Sequence, residues 1–263
     1  MGSIATLVLV ALSAGSPKVD AATRPHLAAW EQAMAARTSF LCGDVRVTRK
    51  DLPRKTEKAF TGTIQCLKPR MGRLRLDPLL PDGGTRKPTD YEAYIWNDKS
   101  LIEYDAAIKE VHVFPLTPTK ADPAPTEVNP ILAWLGSLIW DAMMAHHDLL
   151  NGVVGGEWKG VAWRFDVKLV KEDAHYVHLE LKPRFAKDRW QYDSIQVVLF
   201  GPNVPKPYVA YLPCVLTVRH RGRLSETVWQ FSEPKINVPT IKREDFELVV
   251  PDGWTVQQPA PKK

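Results

Sequence analysis

Along most of this chain apolar and polar residues alternate, the period-two signature of a strand with one buried face. Residues 72–77 show it most strictly, with Leu74 and Leu76 on one side and Arg73 and Arg75 on the other. The same pattern predicts strands over 40–49, 61–67, 91–96 and 100–104, the last two folded into a hairpin about the polar turn Asn97-Asp98-Lys99. A strand over 110–114 follows. In the second half, strands are predicted over 163–170, 176–182, 195–199, 209–219, 226–231 and 246–250. Within 176–182, Val177, Leu179 and Leu181 oppose His178, Glu180 and Lys182.

Two stretches break the alternation. Leu27, Trp30 and Met34 recur at helical spacing in an Ala-rich run and predict a helix over 27–37. Residues 117–130 hold Pro118, Pro123, Pro125 and Pro130 and read as an extended crossing segment. Asn129 is then an N-cap with Pro130 at the first helical position, opening a helix over 131–150. With Trp134, Leu135 and Leu138, that helix is apolar over much of its circumference and needs cover on more than one side. Consecutive strands joined by short turns favour an antiparallel sheet over alternating β–α units. The predicted fold class is mostly β with α: a curved antiparallel half-barrel whose concave face is covered and plugged by helices.

Composition bears on function more than on fold. Of 263 residues, 44% are hydrophobic, nine are Trp, and the net charge is +5. The basic residues are spread along the chain, which argues against nucleic acid as a partner. Residues 4–14 are apolar apart from Thr6 and Ser13, and Gly15-Ser16-Pro17 then breaks any helix. Such a run is too short to span a bilayer and reads as a signal-peptide core, although no Lys or Arg precedes it. Val19-Asp20-Ala21 occupies the positions a signal peptidase reads. The expected organisation is a cleaved signal peptide over 1–21, one domain over 22–256 and a Pro/Lys-rich unstructured tail over 257–263, in an exported, periplasmic protein. Cys42, Cys66 and Cys214 form neither a metal spacing nor an even disulfide framework. Cys42 and Cys66 fall on the first two strands, where a bridge and two buried thiols are both open.

No pattern demands a catalyst. His146 and His147, adjacent on a helix, point about 100° apart and need a third, distant ligand to hold a metal. A polar helix end is the plainer reading of His146-His147-Asp148. His175 and His178 sit in a hairpin and read as surface positions. The Gly-rich residues 152–156 lack the Lys-Ser/Thr of a phosphate loop, and neither a nucleophile elbow nor a dinucleotide fingerprint is present. The expectation is a non-enzyme with no cofactor and no metal; a hydrolase or metalloenzyme built on the His146 region ranks last.

Helix, long antiparallel sheet, inserted helix and further sheet, in that order, resemble the LolA-like periplasmic lipoprotein carriers. The run Asn97-Asp98-Lys99-Ser100-Leu101-Ile102-Glu103-Tyr104-Asp105 resembles that family's hairpin. Leu67-Lys68-Pro69, followed by Leu74 and Leu76, resembles its segment of basic residue, Pro and apolar strand. Phe246-Glu247-Leu248-Val249-Val250-Pro251-Asp252-Gly253-Trp254 resembles its closing strand and Pro-x-Gly turn. The Trp30-Glu31-Gln32-Ala33-Met34 helix and the hairpin over 168–184 look closer to a planctomycete lineage-specific branch. Each motif is short, while the resemblance in the order of elements extends over nearly the whole mature chain.

This resemblance implies a helix-covered half-barrel around a hydrophobic cavity that binds acyl chains. The candidate lining residues are Ile64, Leu74, Leu76, Trp96, Leu101 and Val113 on strands, with Trp134, Leu135 and Leu138 from the helix. A filled core would show the same alternation. In the carriers an Arg before the Pro helps hold the closed state; here Lys68 stands at that position, without the planar fork of Arg, and is the gating candidate. The implied function is a monomeric, non-enzymatic carrier of lipoproteins or other acylated or lipid ligands, exchanging them with a membrane-associated delivery or acceptor protein. The alternative is a cell-envelope regulatory or structural interaction module with a filled core and no ligand, because fold alone does not fix function.

Overall fold

The alternating segments pair into one sheet. The structure, a computed structural model, describes residues 18–80, 90–115, 149–150, 153–154 and 163–257. Helix α1 (Thr23–Ala35) leads into β1 (Ser39–Asp51), β2 (Thr56–Leu67), β3 (Met71–Pro78), β4 (Glu92–Trp96), β5 (Ser100–Asp105) and β6 (Glu110–Pro115). The second half runs through β7 (Phe165–Glu172), β8 (Tyr176–Pro183), the single turn α2 (Ala186–Arg189), β9 (Tyr192–Phe200), β10 (Pro213–His220), β11 (Ser225–Ser232), β12 (Lys235–Ile236) and β13 (Thr255–Gln257).

The order across the sheet is β13-β6-β5-β4-β3-β2-β1-β11-β10-β9-β8-β7, with β12 paired to β1 off this path. Two antiparallel meanders, β1–β6 and β7–β11, are therefore joined where β1 meets β11, with Val47 opposite Trp229. The end strands β13 and β7 do not pair, so the sheet is an open half-barrel rather than a closed one. Pairing is antiparallel throughout except between β13 and β6. A bulge between Cys42 and Val45 lets β1 pair with β12 before it and β11 after it.

The large core lies on one face, here called inner. It joins Phe40, Cys42, Val45 and Val47 of β1 to Ile64 and Cys66 of β2, to Val177, Leu179 and Leu181 of β8, and to Trp229 and Phe231 of β11. Trp30 and Met34 of α1 pack into it, so α1 lies on that face. So do Leu149, Leu150, Val153 and Val154. Leu149 and Leu150 end the helix predicted over 131–150; the rest of that helix lies outside the described residues.

On the opposite, outer face a smaller core covers β4–β6 and, on β3, only Met71 at its start. It contains Met71, Ile95, Ile102, Tyr104, Val111 and Phe246. This part of the sheet is buried on both sides, which is why Ile95-Trp96 and Leu101-Ile102 are apolar pairs instead of alternating.

Several expected boundaries change: β2 begins at Thr56 and not at 61, and β10 at Pro213 and not at 209, Val209 ending a 3-10 turn. The first helix starts at Thr23, because the Asp20 carboxylate accepts the Thr23 N–H at 2.7 Å and the Thr23 hydroxyl accepts the Leu169 N–H at 2.7 Å. It ends at Ala35, leaving Arg37 beyond it. The strand expected over 246–250 does not form. Phe246 instead ends a 3-10 turn (Arg243–Phe246), and Leu248, Val249 and Val250 are exposed. The outer face takes up this backbone: Asn97 Nδ2 donates to the Phe246 carbonyl at 3.0 Å, and the Tyr104 hydroxyl donates to the Val249 carbonyl at 2.9 Å. The chain thus crosses over β3–β6 as a cover, and its closing strand is β13.

Candidate ligand-binding face

Strand parity decides which candidates meet. Ile64 pairs with Leu74, and Trp96 pairs with Leu101 on one side and Gly72 on the other. Together with Leu76, these residues share the inner face, and Ile64, Leu74, Leu76, Trp96 and Leu101 are all at most 4% exposed. Gly72 is what seats Trp96: a Cβ built on Gly72 would lie 2.0 Å from the indole ring. Val113 is the exception. It pairs with Ile102 and packs in the outer cluster, whereas Leu101 pairs with Phe114, so parity puts Phe114 and not Val113 on the inner face. Trp134, Leu135 and Leu138 lie outside the described residues.

Lys68 stands at the end of β2, under the end of α1. Its Nζ donates to the Met34 carbonyl at 2.6 Å and the Ala35 carbonyl at 3.4 Å, and its N–H donates to the Thr38 carbonyl at 2.9 Å. The first two are carbonyls a helix leaves unpaired at its C-terminus, where the dipole favours a cation. The gating candidate therefore ties the covering helix to the sheet.

A second cation at this point is not among the sequence candidates. Arg37 is 2% exposed, and burial pulls its guanidinium down to about 10. Its Nη2 touches the Met34 sulfur, and its guanidinium carbon lies 5.5 Å from the Phe40 ring centre. Its Nε and Nη1 have no hydrogen-bond partner among the described residues. The signal is in the sequence: Trp30, Met34 and Arg37 are spaced i, i+4, i+7, so an arginine continues the apolar stripe of α1.

Burial pushes the Cys66 and Cys214 thiols up to about 12 and raises that of Cys42, so none is a ready thiolate. All three are free, and Cys66 lies opposite Phe40 rather than Cys42. Asp173 accepts the His175 N–H at 3.0 Å within a turn, and His178 lies 4.0 Å from the same carboxylate. Among the described residues, no group of three or more His, Cys, Asp or Glu could hold a metal. His146 and His147 lie outside them. A cleft of about 590 Å³ flanks β7, but Lys18, Arg24, Lys168, Asp20, Asp166 and Glu180 line it with both signs of charge.

No family model matches the sequence. No curated protein matches it either. Among solved structures, the chain is similar to an uncharacterized conserved protein from Thermus thermophilus, at 9% identity and a TM-score of 0.47, over 90% of this chain and 99% of that one. It is similar to a LolA superfamily protein from Nitrosomonas europaea at 10% identity and a TM-score of 0.38, over 86% and 97% of the two chains. It is also similar to LprF from Mycobacterium bovis at 10% identity and a TM-score of 0.41, over 87% and 99%. LolA superfamily proteins are thus among the structures this sheet matches. These likenesses place no ligand on this chain.

Proposed function

We propose that this chain is an exported, non-enzymatic carrier that holds the acyl chains of a lipoprotein or lipid between its inner sheet face and the helices over it. One arrangement supports the reading: Ile64, Leu74, Leu76, Trp96 and Leu101 form a continuous apolar face, and the helix on that face is fastened by an ammonium group on its terminal carbonyls. Such a fastening is weak enough to break. Each methylene taken up contributes about 0.8 kcal/mol, so a dozen amount to roughly 10 kcal/mol before the cost of lifting the helices. The proposal takes residues 1–21 as the export signal, 22–256 as one domain working as a monomer, and a membrane-associated protein as donor or acceptor of the ligand.

The test is titration with a fluorescent fatty acid and its displacement by a diacylated peptide. Saturable binding with displacement is expected. Lys68→Ala should release the probe several-fold faster and lower stability by about 0.5–1 kcal/mol, whereas Lys68→Arg should not. A second reading has its own observation: Ile64, Leu76 and Leu101 are 0% exposed, as in a filled core. Absence of probe binding would favour that reading, an envelope interaction module without a ligand.

A further inference from the structure

Arg37 is a buried cation with no carboxylate against it among the described residues. A thioether and an aromatic face compensate a desolvated guanidinium only weakly. Cys66 adds nothing as a protonated thiol, and the same Phe40 ring also stands edge-to-face with Phe231 at 6.3 Å. Further along β11, on the same inner face, the Trp229 indole N–H is also buried without a partner among the described residues. Arg37 and Trp229 both donate and neither accepts. The inner face therefore offers hydrogen-bond donors and a positive charge inside an apolar layer. What complements that layer is an apolar body carrying acceptor oxygens and a negative charge.

We infer that Arg37 receives the anionic head group of a bound amphiphile, a carboxylate or phosphate borne on an acyl chain, while the chain runs along the inner face toward Ile64, Leu74 and Leu76. The inference rests on the carrier reading and adds the ligand's charge and orientation. The head lies at the C-terminal end of α1, where Lys68 also stands, and the tail lies over the sheet. The planar fork of Arg37 suits two oxygens of one head group.

The test compares oleate with oleyl alcohol on the whole protein and on Arg37→Met, followed by intrinsic Trp fluorescence and by thermal melting. The wild type should bind oleate about ten- to a hundredfold more tightly than the alcohol. Arg37→Met should lose that preference and keep its affinity for the alcohol. Without ligand it should melt at or above the wild-type temperature, because a methionine removes an unpaired buried charge. Equal wild-type affinities for the two ligands would overturn the inference and leave the carrier reading intact. If neither ligand binds, both fall. A lower melting temperature for ligand-free Arg37→Met would also overturn it, by revealing a partner for the charge within the chain. So would an Arg37-dependent thermal shift with inorganic phosphate and none with oleate, which would assign the site to a free anion.

Discussion

Single residues on the inner face carry consequences far larger than their size. Gly72 has no side chain because the Trp96 ring occupies that space. Gly72→Ala should cost about 1–3 kcal/mol in urea unfolding and shift the tryptophan emission, since either β3 or the indole must move. His220 illustrates burial acting on charge. Desolvation holds its imidazole below the usual 6.5, and its Nε2 lies 3.3 Å from the Thr227 hydroxyl. The unfolded chain takes up this proton first, so the stability that neutral His220 contributes is complete above pH 6.5 and is lost as pH falls toward the folded-state value. His220→Gln should therefore flatten the dependence of unfolding free energy on pH between about pH 7 and 5. These effects could not be read from residue type, because a Gly within a strand and a His beside an Arg-rich turn are compatible with many environments.

At the scale of elements, strands are readable wherever one face is buried and the other wet, as in β3 and β8. The pattern misleads where a segment is covered from an unexpected side. Residues 246–250 look like a strand, yet Asn97 and Tyr104 hold their backbone as a crossing cover. Val113 reads as an inner residue because periodicity fixes which residues share a face within a strand, not which face of a neighbouring strand they join. Corners depend on ion pairs that no pattern announces. Arg164 binds Asp188 of α2, its Nε at 3.1 and 3.2 Å from the two carboxylate oxygens, and Asp188 is 1% exposed. Asp188→Ala should destabilise the protein by about 3 kcal/mol in thermal or urea unfolding, because it breaks a buried ion pair by removing one partner.

For the whole molecule, an open sheet has two edges to protect. At one end β13 is only three residues long. At the other, β7 is covered by residues before α1: the Lys18 N–H donates to Asp166 at 2.8 Å, and Val19 bridges to Val167. A chain beginning at Ala22, as the export reading expects, lacks this cover and should melt lower than one beginning at Lys18 in a thermal unfolding scan. The sequence by itself determined the period-two pattern, and hence the antiparallel class, most strand positions and the apolar stripe of α1, because these follow from local geometry. Which strand faces joined, which cover lay over β3–β6, and the meeting of Lys68 and Arg37 at the end of α1 were decided only by tertiary structure. Those contacts join residues tens of positions apart, and a lone charge on an apolar stripe acquires its meaning only when the opposing sheet takes its water away.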